Sequence, residues 1–147
     1  MLAASKYLKI TLLFIWELPQ NLLGLVVFSI MKYKRSILRI EQEANRKFLE
    51  TKNTGVSLGR FIFWTPAGNR FSHLANDCRM HEYGHAKQSV MLGPLYLLIV
   101  GLPSLGRVAY SRWYQWKYDR NWHNYFNGFP ENWADKLGGV IIKKESN

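Results

Sequence analysis

Residues 81–85 read His81-Glu82-Tyr83-Gly84-His85, an H-E-x-x-H pentapeptide around which the rest of the chain has to fold. A helix has 3.6 residues per turn, so side chains four positions apart lie about 40° apart around its axis. Both imidazoles can therefore hold one Zn²⁺ ion, while Glu82 stands beside them as a general base. The pentapeptide thus predicts a helix that carries part of a metal-dependent hydrolytic site.

The flanking residues also predict a helix. Asn76 or Asp77 is a suitable N-cap, and the Gly93-Pro94 pair is a stop signal. Cys78 precedes the first histidine by about one turn, and we interpret it as a small buried residue rather than a metal ligand. Because the chain has a single Cys, an internal disulfide framework is excluded.

The expected third ligand lies near the C-terminus, where residues 131–135 form an E-x-x-A-D pattern. Pro130 favours the first turn of a helix, and a helix that begins there places Glu131 and Asp135 on one face. One carboxylate can then bind the metal while the other accepts the far N–H of a ligand histidine. The alternative is that Glu131 only favours a helix N-terminus and that Asp135 is exposed to solvent.

The two motifs together resemble those of the gluzincin class of zinc metallopeptidases. The resemblance is to the membrane-associated group that includes the CAAX prenyl protease and the bacterial heat-shock protease. It implies that two histidines and a glutamate bind zinc, that a second glutamate is the general base, and that an aspartate orients a histidine. These residues are His81, His85, Glu131, Glu82 and Asp135.

Two other segments, residues 18–24 and 93–104, resemble small uncharacterised bacterial membrane-associated proteins that carry the same H-E-Y-G-H motif. We therefore expect an α+β fold, with a zincin-like catalytic domain over residues 36–147 and an N-terminal hydrophobic membrane-associating segment over residues 1–35. The expected activity is hydrolysis of peptide bonds in a peptide or protein substrate, with a Zn²⁺-bound water as nucleophile.

A strand is predicted over residues 56–64, which are rich in strand formers and follow Gly55. In zincins that resemble this chain, an edge strand ahead of the metal helix pairs with the substrate backbone. The alternative is an ordinary half-buried strand. An oxyanion donor is also required, and His123, Tyr125 and Arg120 are candidates that the sequence does not rank.

A mostly apolar stretch runs from residue 10 to residue 31, and its 22 residues are enough to cross a hydrocarbon core of about 30 Å. Glu17, Gln20 and Asn21 lie near its middle, where an acidic residue is costly unless protein or water covers it. The stretch is therefore either a helix kinked at Pro19 with a covered polar edge, or two short pieces in the membrane interface. A soluble helix is the alternative.

The charge distribution agrees with a membrane surface as a partner. The net charge is +10, and residues 107–125 mix basic side chains with Trp and Tyr, which suits a lipid headgroup region. Residues 95–105 are apolar but too short to span, as in a core helix or a re-entrant segment. No nucleic acid is expected as a partner, because the charge accompanies hydrophobic stretches and no nucleic-acid motif is present. A solvated basic face around an aromatic core is the remaining alternative.

Basic residues also suggest an orientation. Lys6 and Lys9 precede the apolar stretch, and more basic residues follow it, so the positive-inside bias places the catalytic part on the cytoplasmic side. The following basic residues are Lys32, Lys34, Arg35 and Arg39. Beyond them, residues 37–52 are predicted to form a charged amphipathic helix that packs on the metal helix.

Three alternative functions remain open at the level of sequence. An intramembrane protease of the site-2 class shares the H-E-x-G-H pattern and would take an aspartate, here Asp135, as its third ligand. A membrane adaptor could retain the fold without hydrolysis. A basic nucleic-acid module would show salt-sensitive binding to DNA or RNA.

Overall fold

The computed structural model describes residues 2–66 and 75–140 and confirms a mixed α+β fold. The described residues form five α-helices and one four-stranded sheet. In chain order the elements are α1 (Leu2–Trp16), α2 (Leu18–Tyr33), β1 (Ile37–Glu43), β2 (Arg46–Thr51), β3 (Val56–Leu58), β4 (Phe61–Trp64), α3 (Ala75–Leu92), a 3₁₀ turn (Gly93–Leu95), a π-helical turn (Leu97–Gly101), α4 (Leu102–Tyr118) and α5 (Glu131–Gly138).

The sheet has the order β1-β2-β4-β3, so β1 and β3 are its edges. The pairs β1–β2 and β3–β4 are antiparallel, while β2 and β4 run parallel. The predicted strand over residues 56–64 is therefore two strands joined by a tight turn. Gly59 makes this turn possible, because its φ of +57° lies in the left-handed region that glycine adopts without strain.

The predicted helix over residues 37–52 is wrong, since these residues form the hairpin of β1 and β2. The turn lies at Ala44 and Asn45, where Ala44 has a φ of 50° that is uncommon for alanine and gives no turn signal in the sequence. Strand β2 is also central and buried on both faces, so its apolar residues do not alternate. Because the apolar residues of β2 do not alternate, their spacing resembles that of an amphipathic helix.

The sheet separates two apolar layers. On one face, Leu49 and Phe63 are fully buried against α2, where Val27 and Phe28 pack on them. On the other face, Phe48, Ile62 and Ala86 form a second cluster that attaches α3 to the sheet. Adjacent residues of a strand point to opposite faces, so Phe48 and Leu49 serve different layers. This arrangement fixes the position of α3.

The N-terminal apolar stretch is broken at Glu17, which separates α1 from α2. Pro19 lies in the first turn of α2, where its missing N–H costs nothing. In the part of the chain that the structure describes, no helix by itself has both the length and the apolar composition of a membrane span. The pair Tyr7–Trp16 and Leu18–Tyr33 meets these criteria jointly, with a bend of 87° between its halves.

A buried polar cluster holds this bend against the rest of the fold. The carboxylate of Glu17 is 3.0 Å from the Arg46 guanidinium and accepts a hydrogen bond from Ser89 Oγ at 2.5 Å. Gln20 Nε2 donates to Ser89 Oγ at 3.0 Å and to the Gly93 carbonyl at 2.9 Å. Protein therefore covers the polar edge, as one of the two expected arrangements requires, but the chain bends at Glu17 and not at Pro19. Removing one partner of such a buried pair costs about 3–5 kcal/mol.

Candidate metal centre

Helix α3 spans Ala75–Leu92 and carries the pentapeptide in its middle. It ends at the predicted Gly93-Pro94 stop signal, but the predicted N-cap is wrong, because Asn76 and Asp77 both lie inside the helix. His81, Glu82 and His85 are all buried, with at most 5% of each residue exposed. Around the pentapeptide, the buried side chains of this helix are mostly polar. Buried polar groups need partners or a metal, and these partners come mainly from α5.

Helix α5 begins at Glu131, directly after Pro130, and Glu131 is fully buried. One carboxylate oxygen of Glu131, Oε2, lies 3.1 Å from His81 Nε2 and 3.2 Å from His85 Nε2. The ligand atoms of these three residues all lie within 4.8 Å of one another. The structure thus brings together the three residues that the sequence predicted as metal ligands.

The far nitrogens of both imidazoles have partners as well. His81 Nδ1 lies 2.7 Å from Asp135 Oδ1, and His85 Nδ1 lies 2.7 Å from Gln88 Oε1. Each Nδ1–H can therefore donate outward, so that the Nε2 atom of each ring would be the one that binds a metal ion in the site. Asp135 occupies the supporting position that the resemblance implied.

Two glycines allow α3 and α5 to touch along their backbones. A Cβ added to Gly84 would lie 1.9 Å from the Ala134 carbonyl oxygen, and one added to Gly138 would lie 2.2 Å from the Met80 carbonyl oxygen. Real Cβ atoms do not approach backbone oxygens this closely, so both positions require glycine. The close crossing is what lets the short Glu131 side chain reach both histidines.

Gly84→Ala is therefore expected to push α5 away from α3 and to disrupt the ligand set. An overpacked helix contact costs about 1–3 kcal/mol or more, and the displaced Glu131 should weaken metal binding. Gly106→Ala is the matched control, because no atom lies within 4 Å of its added Cβ. Thermal unfolding and metal content of both variants check this, and a Gly84→Ala protein that behaves like Gly106→Ala would contradict the role of the crossing.

The second oxygen of Glu131 is held from the other side of the site. Ser104 Oγ, in the first turn of α4, donates to Glu131 Oε1 at 2.6 Å. Burial alone would raise the pKa of Glu131, but hydrogen bonds with His81 and His85 outweigh it and hold the pKa well below its usual range. Burial also opposes a charge on His81, yet Asp135 and Glu131 raise the His81 pKa to about 10. The carboxylates of Asp135 and Glu131 therefore favour a positive charge between them, such as that of a bound metal ion.

Glu82 has a different environment from the other acids. Burial raises its pKa to about 7, and the two neighbouring histidines only partly counteract this. Its Oε2 atom is buried without a hydrogen-bond partner among the residues that the structure describes. The other carboxylate oxygen of Glu82, Oε1, faces Gly55. A Cβ added to Gly55 would lie only 2.6 Å from it, so a larger residue would crowd this oxygen. A buried carboxylate oxygen of this kind needs a water or substrate group beside it.

Of the three residues predicted as oxyanion donors, one lies beside the site and two lie elsewhere. Tyr125 is buried beside the site, where burial and then the charges of Glu131 and Glu82 raise its pKa, so its hydroxyl stays protonated. Arg120 instead lies over the rings of Tyr114 and Tyr118, and His123 is exposed in the loop after α4. The structure therefore places Tyr125 at the site and positions Arg120 on the aromatic surface of α4.

Cys78 is buried, as the sequence analysis expected. Burial, with a further contribution from the Glu82 charge, raises the pKa of its thiol to about 11. A thiol that stays protonated at neutral pH is a poor metal ligand, because thiolate is the ligating form.

Two site residues were not predicted from the sequence. Gln88 follows His85 by three positions, a spacing that places two side chains on one helix face and could have identified it. Ser104 is a lone hydroxyl within an apolar segment, and its position opposite Glu131 depends on tertiary contacts alone.

The donor set fits a zinc ion. Ligand atoms about 2.0–2.1 Å from a tetrahedral zinc stand about 3.3 Å from one another, close to the 3.1 Å and 3.2 Å between Glu131 Oε2 and the two imidazoles, while all separations within the cluster are at most 4.8 Å. Two nitrogens and one carboxylate also match the ligand types of catalytic zinc sites, which leave one position open.

Comparison of the chain with protein-family models, with curated proteins and with solved structures gave no match.

Proposed function

We propose that this protein is a membrane-associated, zinc-dependent metallopeptidase with a zincin-like arrangement of sheet and metal helix. The observation that carries the proposal is the convergence of both imidazole Nε2 atoms on Glu131 Oε2, beside the unpartnered Oε2 of Glu82. Structural zinc sites have four protein ligands, whereas a site with three leaves a coordination position for chemistry. The Glu82 carboxylate next to that position would supply proton transfer.

His81, His85 and Glu131 would hold the zinc ion, and Asp135, Gln88 and Ser104 would orient them. A zinc ion bound there would lower the pKa of a bound water to about 7 and polarise a peptide carbonyl. Glu82 accepts a proton from water at its unpartnered Oε2 and passes it to the nitrogen of the leaving amine. Its burial, which raises the pKa of the carboxyl group, favours return of the proton to the leaving amine. The Tyr125 hydroxyl is the donor proposed for the developing oxyanion.

The edge strand β3 supports an extended peptide as the substrate. Among the residues that the structure describes, no strand pairs with its outer side, where a peptide could add as a further strand; within β3, the Ser57 carbonyl accepts a hydrogen bond from the Tyr96 hydroxyl at 3.1 Å. Gly55 directly precedes β3 and leaves room beside Glu82 Oε1 that a side chain would fill. A peptide paired with β3 would therefore pass in front of the general base.

The arrangement favours Glu131 over Asp135 as the third ligand. Asp135 Oδ1 contacts the Nδ1 side of His81, and Nδ1 and Nε2 point in different directions from the ring. Glu131 Oε2 lies on the Nε2 side of both rings. This geometry supports the gluzincin ligand order and gives no support to the site-2 order.

The proposal is tested by metal analysis of protein purified without chelator, followed by peptide hydrolysis with and without 1,10-phenanthroline. We expect about one zinc per chain and hydrolysis that is lost with chelator and restored by Zn²⁺. Protein that binds no zinc would overturn the proposal. Protein that binds zinc but cleaves no member of a diverse peptide library would favour the adaptor alternative.

Membrane association is the second part of the proposal. Exposed apolar residues lie on α1, on α2 and on the segment after α3, and Trp16 at the end of α1 contacts the last turns of α3, where its Nε1 donates to the Val90 carbonyl at 2.9 Å. So many large apolar side chains exposed on neighbouring elements would be unusual on a soluble monomer. The residues of this apolar surface, each more than half exposed, are Leu8, Leu12, Ile15, Leu22, Leu25, Val26, Leu95, Leu98, Leu102 and Leu105.

The aromatic and basic end of α4 suits the edge of that surface. Lys117 Nζ lies 5.0 Å from the centre of the Trp113 ring, and Arg107 lies 4.8 Å from that of Trp122. Such pairs are stable at a headgroup region, where rings and positive charges are both accommodated. The basic residues after α2 support a cytoplasmic position for the site.

Leu12→Lys combined with Leu98→Lys is expected to move the full-length protein from the membrane fraction to the soluble fraction. Each lysine at membrane depth costs about 2.5–3.5 kcal/mol on insertion scales. Leu38→Lys combined with Ile40→Lys is the matched control, because these leucine and isoleucine side chains are equally exposed but lie on the edge strand β1. Fractionation with an alkaline wash measures the distribution. Wild-type protein that stays soluble without detergent would contradict the membrane proposal.

A further inference from the structure

Gln88 makes two hydrogen bonds from a fully buried position on α3. Its Oε1 lies 2.7 Å from His85 Nδ1, and its Nε2 donates to the Pro130 carbonyl at 3.1 Å. Pro130 directly precedes Glu131, so one neutral side chain contacts the far side of one proposed ligand and the backbone before another. We propose that Gln88 is a positioning residue that fixes the tautomer of His85 and directs its Nε2 lone pair toward the metal.

The argument begins with the Pro130 carbonyl. This oxygen can only accept hydrogen bonds, and it already accepts one from the Ala134 amide at 3.0 Å. The atom of Gln88 that faces it must therefore be the donor, Nε2. If the amide were flipped, Gln88 Oε1 would face the Pro130 carbonyl oxygen. Neither oxygen can donate, so the buried contact would lack a hydrogen bond and would be unfavourable. The carbonyl thus fixes the orientation of the Gln88 amide.

The fixed amide then decides the tautomer of His85. Because Oε1 faces Nδ1 and cannot donate, Nδ1 must carry the proton. A neutral imidazole with its proton on Nδ1 has its lone pair on Nε2, the atom that lies 3.2 Å from Glu131 Oε2. Two contacts in series therefore connect Pro130, the residue before α5, with the metal-binding form of a histidine on α3.

Gln88 differs from the residue that supports the other histidine. His81 is held by the carboxylate of Asp135, whereas His85 is held by an amide that bears no charge. A carboxylate raises the basicity of a histidine ligand more than an amide does. The buried site therefore gains orientation at His85 without a further negative charge beside Glu131 and Glu82.

This inference rests on the proposed metal site, and the experiment separates the two. Zinc affinity is measured by chelator competition for the wild type, Gln88→Leu and Gln88→Glu, with Gln115→Leu on the exposed face of α4 as the matched control. The Nδ1 proton of His85 is observed by long-range ¹H–¹⁵N NMR of the zinc-loaded proteins. A wild type without zinc affinity would contradict the metal site itself.

Gln88→Leu removes both contacts, so we expect zinc affinity to fall by about 10- to 100-fold and the His85 Nδ1 proton to exchange faster. Gln88→Glu keeps the acceptor, so the proton should persist and move downfield in a stronger, charge-assisted bond, while that of His81 stays. Wild-type affinity and proton protection in Gln88→Leu would overturn the inference. If Gln88→Leu does not fold, an unmoved His85 proton in Gln88→Glu overturns it equally.

Discussion

Glu131→Ala is expected to abolish stoichiometric zinc binding, whereas Asp135→Ala should leave a weakened site. Glu131 Oε2 is the atom shared by both imidazole Nε2 atoms, so its loss leaves two histidines as the only proposed ligands. Asp135 contacts His81 at Nδ1, and loss of such a supporting carboxylate usually weakens metal affinity by about 10- to 100-fold. Zinc content of both purified variants at matched free metal measures the difference.

The control for this pair is Lys136→Ala, which changes an exposed residue of the same helix and should retain zinc at the wild-type level. The asymmetry between the two carboxylates is the decisive result. A protein that loses zinc with Asp135→Ala and keeps it with Glu131→Ala would establish the Asp-ligated order of the site-2 class. Equal loss in both variants would show that neither carboxylate acts only as a support.

Glu82→Gln is expected to keep zinc and to lose hydrolysis. The side chain contributes no atom to the predicted ligand cluster, so metal content should not change. An amide cannot accept and return a proton, and loss of a general base typically lowers turnover by about 10²- to 10⁴-fold. Because glutamine has the same shape as glutamate, the buried site should remain intact. Zinc content and peptide hydrolysis are measured on the same preparation.

Glu50→Gln provides the matched substitution on β2, where the glutamate is half-buried and outside the proposed site. It should retain both zinc and activity. Undiminished hydrolysis by Glu82→Gln would remove Glu82 from its proposed role. Loss of zinc in Glu82→Gln would instead show that the carboxylate is required for the metal site, as a ligand or for its folding.

Much of the helical structure around the site could be predicted from local sequence. The stop signal marked the end of α3 and Pro130 marked the start of α5, because helix ends depend on nearby backbone groups. The N-cap expected at Asn76 or Asp77 was wrong, since both residues lie inside α3. The strands were harder to predict. Residues 37–52 form a hairpin whose central strand is buried on both faces, and this double burial arises from α2 and α3, which are distant in sequence.

The N-terminal segment shows a similar limit. Its apolar length predicted a membrane span, and its central acidic residue argued against a simple one. The contact that holds the bend between α1 and α2 is the ion pair of Glu17 with Arg46 at 3.0 Å, across 29 positions of sequence. No local pattern specifies which cation meets a buried carboxylate. The break at Glu17 follows from that partner, because the buried pair holds the chain where the helix ends.

The sequence by itself determined the types of side chain at the site and their spacing on each helix, since a 3.6-residue period fixes which of them share a face. It placed His81 and His85 together and paired Glu131 with Asp135. Only the tertiary structure decided which carboxylate faces the Nε2 atoms. That choice depends on how closely α3 and α5 cross at Gly84, and on the contacts of Gln88 and Ser104. These are long-range contacts of hydrogen-bond or van der Waals length, and helical periodicity within one segment cannot encode them.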